Sequence, residues 1–201
     1  DLIRTEMPGL GLALAGDFHA EYSDAIRDYC VCYPGPEPSV ADARRRAGQV
    51  TTLYTCCGPA FPNTFVHSPL VEPRMLPWIA AAGHADGYLR WAFTSWPEDP
   101  LRSPDYNLPG WPAGDTFLVY PGKDGPISSL RWEMLKQGVQ DYELIAALRA
   151  ELERRPDEAA RAELEAALSL ATRNPDGRTK DPDDLLRARR MVIEALRSVR
   201  R

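Results

Sequence analysis

The stretch DGYLRWAFTSWP, Asp86 to Pro97, decides how the rest of the chain is read. After the turn pair Asp86-Gly87, an aromatic and aliphatic run extends to Phe93, which predicts a strand buried on both faces, as in a parallel sheet. The run passes straight into Thr94, Ser95 and Trp96, and then into a loop rich in Pro, Asp and Trp. Parallel barrels keep their sites at the C-terminal ends of the strands, so this junction is the expected binding face. Because strand side chains alternate, Trp91 and Phe93 share one side, and Tyr88, Arg90 and Ala92 the other.

Outward from it, Val50 to Cys57 (VTTLYTCC) is β-branched and aromatic and predicts a strand. Leu10 to Ala15 and Tyr29 to Tyr33 predict two earlier strands, with helical character in Glu21 to Arg27 between them. Ser39 to Gly48 reads as a helix with Ser39 as its N-cap and a glycine at its end. Leu70 to Gly83 reads as another, with Pro73 tolerated in the first turn and Pro77 forcing a kink or an interrupted start. Gly58 to Pro69 and Glu98 to Gly114 are long loops after strand ends, the second carrying Tyr106, Asn107 and Trp111. Thr116 to Tyr120, closed by Pro121-Gly122, is the expected fifth strand.

From Ser128 or Ser129 onward, Leu135, Val139, Tyr142, Ile145, Leu148 and Leu152 recur at steps of three and four. That spacing marks one apolar face of a long helix, which Pro156 ends. Two more amphipathic helices follow, Asp157 to Thr172 and Asp184 to Val199. The last has Leu185, Leu186, Ala188, Val192, Ile193 and Leu196 as its stripe.

Alternating strands and helices predict an α/β fold with a parallel sheet. Five parallel strands cannot close the eight-stranded barrel that such connections build. The chain also opens on Asp1 rather than Met. The expectation is therefore the C-terminal portion of a (β/α)8 TIM-like barrel in residues 1–155, with a helical extension, residues 156–201, packing on it. A small doubly wound open sheet is the competing architecture.

Composition narrows the functions. A formal charge of -5 across 201 residues argues against a nucleic-acid partner, which requires clustered excess Lys and Arg. The one basic run, Arg44-Arg45-Arg46, is assigned to a solvated helix face. No apolar run approaches the ~20 residues of a membrane span, so no membrane partner is expected. The chain reads as an excerpt from a longer polypeptide, which leaves a targeting segment, and with it a secreted location, open. The cysteines stand as Cys30-x-Cys32 and Cys56-Cys57, without zinc-knuckle spacing and with His19, His67 and His84 out of ligand register, so no metal is expected. They read as small buried strand residues, with a disulfide between the two strands open if these are neighbours. A cysteine-based redox or metal module is a third hypothesis and requires a low-pKa thiol at Cys56 or Cys57.

Four segments in order, LYTCCGPAFPNTF, EPRMLPWIAAAGHADGYLRWAFTSW, GDTFLVYPG and SSLRWEMLKQGVQDYELI, resemble the C-terminal half of the glycoside hydrolase family 123 catalytic domain. They are equally similar to the related domains grouped as domain of unknown function 4091. The likeness spans Leu10 to Leu148. It implies a (β/α)8 barrel, no cofactor, and a retaining attack on N-acetyl-β-galactosaminides in which the substrate's own acetamido oxygen displaces the leaving group.

Such chemistry requires two neighbouring carboxyl groups, one to protonate the glycosidic oxygen and one to hold the acetamido nitrogen. In the family they form an Asp-Glu pair after an earlier strand, often followed by proline. Here Asp157-Glu158 falls in the appended helices and Glu98-Asp99-Pro100 reverses the order, so neither is assigned a catalytic role. The pair is expected in the missing N-terminal part of the same barrel, unless the chain has lost hydrolysis and is a carbohydrate-binding or scaffolding domain.

The wall residues do carry over. Tyr54 and Trp91 would stack on an amino-sugar or line an acetamido pocket, or serve as ordinary core aromatics. Trp96 would form a subsite. Arg74 would bond a sugar hydroxyl or enter a buried ion pair with Glu133, and Tyr120 would serve either the site or the turn at Pro121-Gly122. Arg131 and Glu133, in S-x-R-x-E, are read as structural. Asp17 is the one in-chain candidate for acid work, since Asp86 precedes its strand and faces the wrong end.

Overall fold

The computed structural model describes residues 2–7, 9–105, 111–173 and 181–201. Tyr106 and Asn107 lie outside the described residues. A short helix α1, Leu2–Glu6, precedes the sheet. Four strands follow, β1 Leu12–Gly16, β2 Ile26–Cys32, β3 Val50–Thr55 and β4 Gly87–Arg90, all parallel and lying side by side in chain order. A doubly wound sheet reverses its strand order at a switch point, and this one has no reversal. Right-handed crossovers in an unreversed order put the helices on one face. Accordingly α3, Pro38–Arg46, packs on β3, and α4, Val71–Ala82, packs on β4.

Side chains of the sheet sort by that asymmetry. Thr51, Leu53 and Thr55 of β3, and Tyr29 and Val31 opposite the first two, are buried. Leu53 packs on Ala80 of α4, which fixes this as the helix-covered face. Thr52 and Tyr54, registered against Cys30 and Cys32, point the other way, where the sheet is half-open.

Several local expectations change. The helix expected over residues 21–27 contracts to α2, Ala20–Ser23, because Ile26 opens β2 opposite Leu12 and joins Tyr29 and Val31 in an apolar cluster. Pro38 takes the first turn of α3, so Glu37 rather than Ser39 caps it. The strand read to Phe93 stops at Arg90: Ala92 adopts φ 53°, a left-handed conformation that ends extension, and Trp91 is 48% exposed rather than buried. Nor is Thr116 to Tyr120 a fifth parallel strand. It folds back antiparallel on the residues after β4, with Thr94 bridging Phe117, Leu118 donating to the Phe93 carbonyl at 3.0 Å, and Tyr120 bridging Ile127. Phe117, Leu118 and Val119 are all buried, so their composition reflects burial in a loop rather than sheet pairing.

The helical half follows its apolar spacing closely. Ser129 caps α5, Leu130–Arg154, by accepting from the Trp132 amide at 3.1 Å. Asp157 caps α6, Glu158–Thr172, and Asp181 caps α7, Pro182–Val199. Met75 and Trp78 of α4, Ile145 and Leu148 of α5, Leu164 of α6, and Leu185 and Val192 of α7 form one core. Truncating a side chain such as fully buried Trp78 to Ala costs about 3–5 kcal/mol in cores of this kind. Val139 and Leu186, expected in the buried stripes, are exposed instead. The two longest-packed helices, α4 and α5, meet at Gly138, where a Cβ would sit 2.5 Å from the Arg74 carbonyl oxygen and 2.9 Å from Pro77 Cγ.

The basic run also departs from its solvated reading. Arg44 is 3% exposed, and its guanidinium donates to Thr51 Oγ1 at 2.8 Å and to the carbonyls of Ser23, Ile26 and Val50 at 2.6, 3.0 and 3.1 Å. It ties α2, α3 and two strand starts together below the sheet. Arg45 pairs with Asp42 and Asp86 but stays exposed, as Arg46 does, so the solvated reading fails for Arg44 and holds for the other two.

Candidate functional site

The C-terminal ends of β3 and β4 lie next to each other and point the same way, Tyr54 opposite Leu89 in register. Tyr54 is half-buried on the face away from the helices. Partial burial, with the Cys32 thiol beside it, pushes its phenol up to about 12, so at neutral pH the group is a neutral donor. Trp91 follows β4, and its ring lies 6.0 Å from that of Trp111, tilted by 55°. Asp17, exposed after β1, belongs to this same end of the sheet, and its backbone carbonyl accepts from Tyr29 Oη at 2.6 Å.

Trp96 and Tyr120 converge on the loop above β4. The Trp96 indole N–H donates to the Val119 carbonyl at 2.7 Å, and Tyr120 is held by a pair of 2.8 Å backbone bonds to Ile127 and an edge contact with Phe117. Half-exposed aromatic faces therefore stand on a backbone that their own polar atoms help to pin. Such faces suit the apolar face of a sugar ring.

Arg74 goes elsewhere. It is buried in the helical layer, where its Nε donates to Asp141 Oδ2 at 2.8 Å. Trp78 Nε1 donates to the same oxygen, and Arg189 engages the other. The ion-pair partner is thus Asp141, not Glu133, which instead pairs with Lys136 and Ser128. Arg131 does hold structure, donating to the Thr64 and Gly114 carbonyls at 2.6 and 2.9 Å. Asp86 sits at the opposite end, accepting from the Thr51 amide at 2.8 Å. Strand β2, which carries Cys32, and β3, which Cys56 follows, are neighbours, yet Cys32 faces Tyr54 and all four cysteines are free.

The profile of the glycoside hydrolase 123 catalytic domain matches residues 1–148. The chain belongs to glycoside hydrolase family 123. Among solved structures it is similar to a family 123 glycoside hydrolase from Clostridium perfringens, studied for glycolipid glycan hydrolysis, at 26% identity and a TM-score of 0.69. The match covers 94% of this chain and 34% of that one, so the chain spans about a third of that enzyme's length. A search of curated proteins gave no match.

In this family 123 domain the sequence reading missed a buried centre beneath the strand ends. Arg90 Nη1 donates to Thr55 Oγ1 at 3.0 Å and Asn63 Oδ1 at 2.7 Å, while Nη2 meets the Asp115 carbonyl and carboxylate. Burial pushes the Asp115 carboxyl up, with Arg90 opposing the shift. Among the described residues Arg90 Nε, Asp115 Oδ2, Thr64 Oγ1, Ser68 Oγ and Arg131 Nη2 have no partner, and such buried groups are normally completed by ordered water. The available signal was a charged residue inside the apolar run YLRWAF, which burial permits only with a partner.

Proposed function

We propose that the chain is part of a glycoside hydrolase acting by retaining, substrate-assisted cleavage of N-acetyl-β-galactosaminides, with its Asp-Glu pair supplied by sequence upstream of Asp1. The observation that carries this reading is the placement of Tyr54 and Trp91 at the C-terminal ends of adjacent parallel strands within a family 123 domain. In it, residues 1–155 are the C-terminal portion of a (β/α)8 barrel and residues 156–201 its helical extension; the unreversed strand order supports the first part. Tyr54, Trp91, Trp96 and Tyr120 form the sugar-facing wall. Arg74 serves the site by holding α4 against Asp141 rather than by reaching the sugar.

The test is a longer polypeptide that includes the upstream sequence, assayed with an aryl N-acetyl-β-galactosaminide. It should cleave the glycoside, and Trp91→Ala should lower kcat/KM about tenfold or more, equivalent to about 1.4 kcal/mol of transition-state binding. Absence of cleavage by the folded longer protein would sink the hydrolase reading. One observation favours a second reading: among the described residues no Asp-Glu pair stands at a strand end. Glycan binding without turnover in the same longer protein would make the domain a carbohydrate-binding or scaffolding module.

A further inference from the structure

Immediately beyond β3 the chain carries two adjacent thiols that the sugar reading does not use. Cys56 Sγ and Cys57 Sγ lie 3.7 Å apart, Cys57 exposed and Cys56 partly buried. Neither is floppy. The Cys56 amide donates to the Gly58 carbonyl at 3.1 Å, and its carbonyl accepts from Asn63 Nδ2 at 2.8 Å. Cys30 and Cys32, one strand away, are registered against Thr52 and Tyr54, so neither faces a cysteine directly across the ladder. Among the described residues no three of His, Cys, Asp and Glu gather in a way that would hold a metal ion, which leaves dithiol chemistry for the pair.

We infer that Cys56 and Cys57 form a reversible redox site, closing to a disulfide between neighbouring residues by exchange with a low-molecular-weight disulfide. The steps balance without any other reagent. The Cys57 thiolate attacks one sulfur of the small disulfide, forms a mixed disulfide and expels the first small thiolate. The Cys56 thiolate then attacks Cys57 Sγ, breaks the mixed bond and expels the second. The protein pair is oxidised by two electrons, the small disulfide is reduced to two thiols, and the two protein thiol protons pass to them.

Reversibility follows from geometry. Adjacent residues hold their Cα atoms about 3.8 Å apart, shorter than the roughly 4.4–6.8 Å that relaxed disulfides prefer. A bond made there is strained, and strained disulfides are readily reduced. It is therefore a switch rather than a staple. The hydrogen bond with Cys56, and burial after it, push the Cys57 thiol up, so it is not the low-pKa thiol expected of a redox module; entry is slow at neutral pH and accelerates as pH rises toward the thiol range. Closure reshapes the tip of β3 two residues beyond Tyr54, and it stands whether or not the site cleaves sugars.

The experiment incubates the folded chain with glutathione disulfide at mildly alkaline pH and follows intact mass and released glutathione. The expected result is a loss of about two mass units and release of two glutathiones per chain. Peptide mapping should place the link at Cys56–Cys57, and dithiothreitol should reverse it. Cys56→Ala should stop at a glutathione adduct on Cys57 and release the second thiol at least about tenfold less. A stable glutathione adduct on the unaltered chain, a link from Cys32 to Cys56, or no reaction at all would each overturn the proposal. Cys57→Ser, which should show neither adduct nor link at that position, separates loss of the entry thiol from misfolding.

Discussion

Two buried arginines mark the two ends of the sheet, and they are satisfied differently. At the N-terminal end Arg44 has no carboxylate in contact among the described residues, but its guanidinium is filled by neutral oxygens, three of them backbone carbonyls. At the C-terminal end Arg90 has the Asp115 carboxylate, yet its Nε and one Asp115 oxygen lack a partner among the described residues. The first end is closed by its own chain. The second is built around polar atoms that the surrounding protein leaves incomplete, and it is the end where half-exposed aromatic rings gather.

Arg90→Met should do the most damage. It strands Asp115 as an unpaired buried charge and should cost about 3–5 kcal/mol in urea unfolding at neutral pH. A carboxyl raised in the folded state keeps a proton there that the unfolded chain has already lost. Stability therefore falls as pH climbs from the unfolded value near 3.9 through the raised one. The loss in Arg90→Met should shrink toward pH 4, and adding Asp115→Asn should abolish that dependence. Arg44→Met should cost about 2–3 kcal/mol, from carbonyls left without donors. Its deficit should stay flat between about pH 5 and 8, since no contacting carboxylate titrates with it.

Smaller effects sharpen the contrast. Tyr54→Phe should remove one phenol ionising at about 12 from an ultraviolet titration. Its effect on unfolding should stay within roughly 1 kcal/mol. Smallest of all is Asp42→Asn at the lower end. Partial burial opposes the shift, but His84 and Arg45 together hold this carboxyl below its usual range. The pair thus contributes above about pH 4 and is lost as pH falls through the depressed value. Solvent exposure limits that contribution to at most about 0.5 kcal/mol in an acid-limb unfolding series.

Legibility divided along the same physical lines. The long helices were readable because Leu135, Ile145, Leu148 and Leu152 repeat with a period that only a buried helix face explains. Strand β3 was readable because a β-branched run ended at a clear turn. Thr116 to Tyr120 and Trp91 to Phe93 carry the same composition for a different reason, burial or ring packing within a folded-back loop, and periodicity cannot separate the two. The neighbouring placement of Tyr54 and Trp91 was legible because parallel strands in chain order set their ends together. The Arg90–Asp115 centre was not, since its members are 25 residues apart and no local pattern links them. Arg74 gave a true signal of burial, but its partner, 67 residues away, was Asp141 rather than Glu133.

Gly138 carries a consequence for how this domain tolerates change. In most helix interiors a glycine replaced by alanine gains about 1 kcal/mol. Here the added methyl would meet the Arg74 carbonyl and the Pro77 ring of the facing helix, so the sign reverses. The spacing between the helix after β3 and the helix after the β4 loops is set by an atom that is not there. A saturation screen should find position 138 among the least permissive in the chain, although it touches neither ring nor thiol.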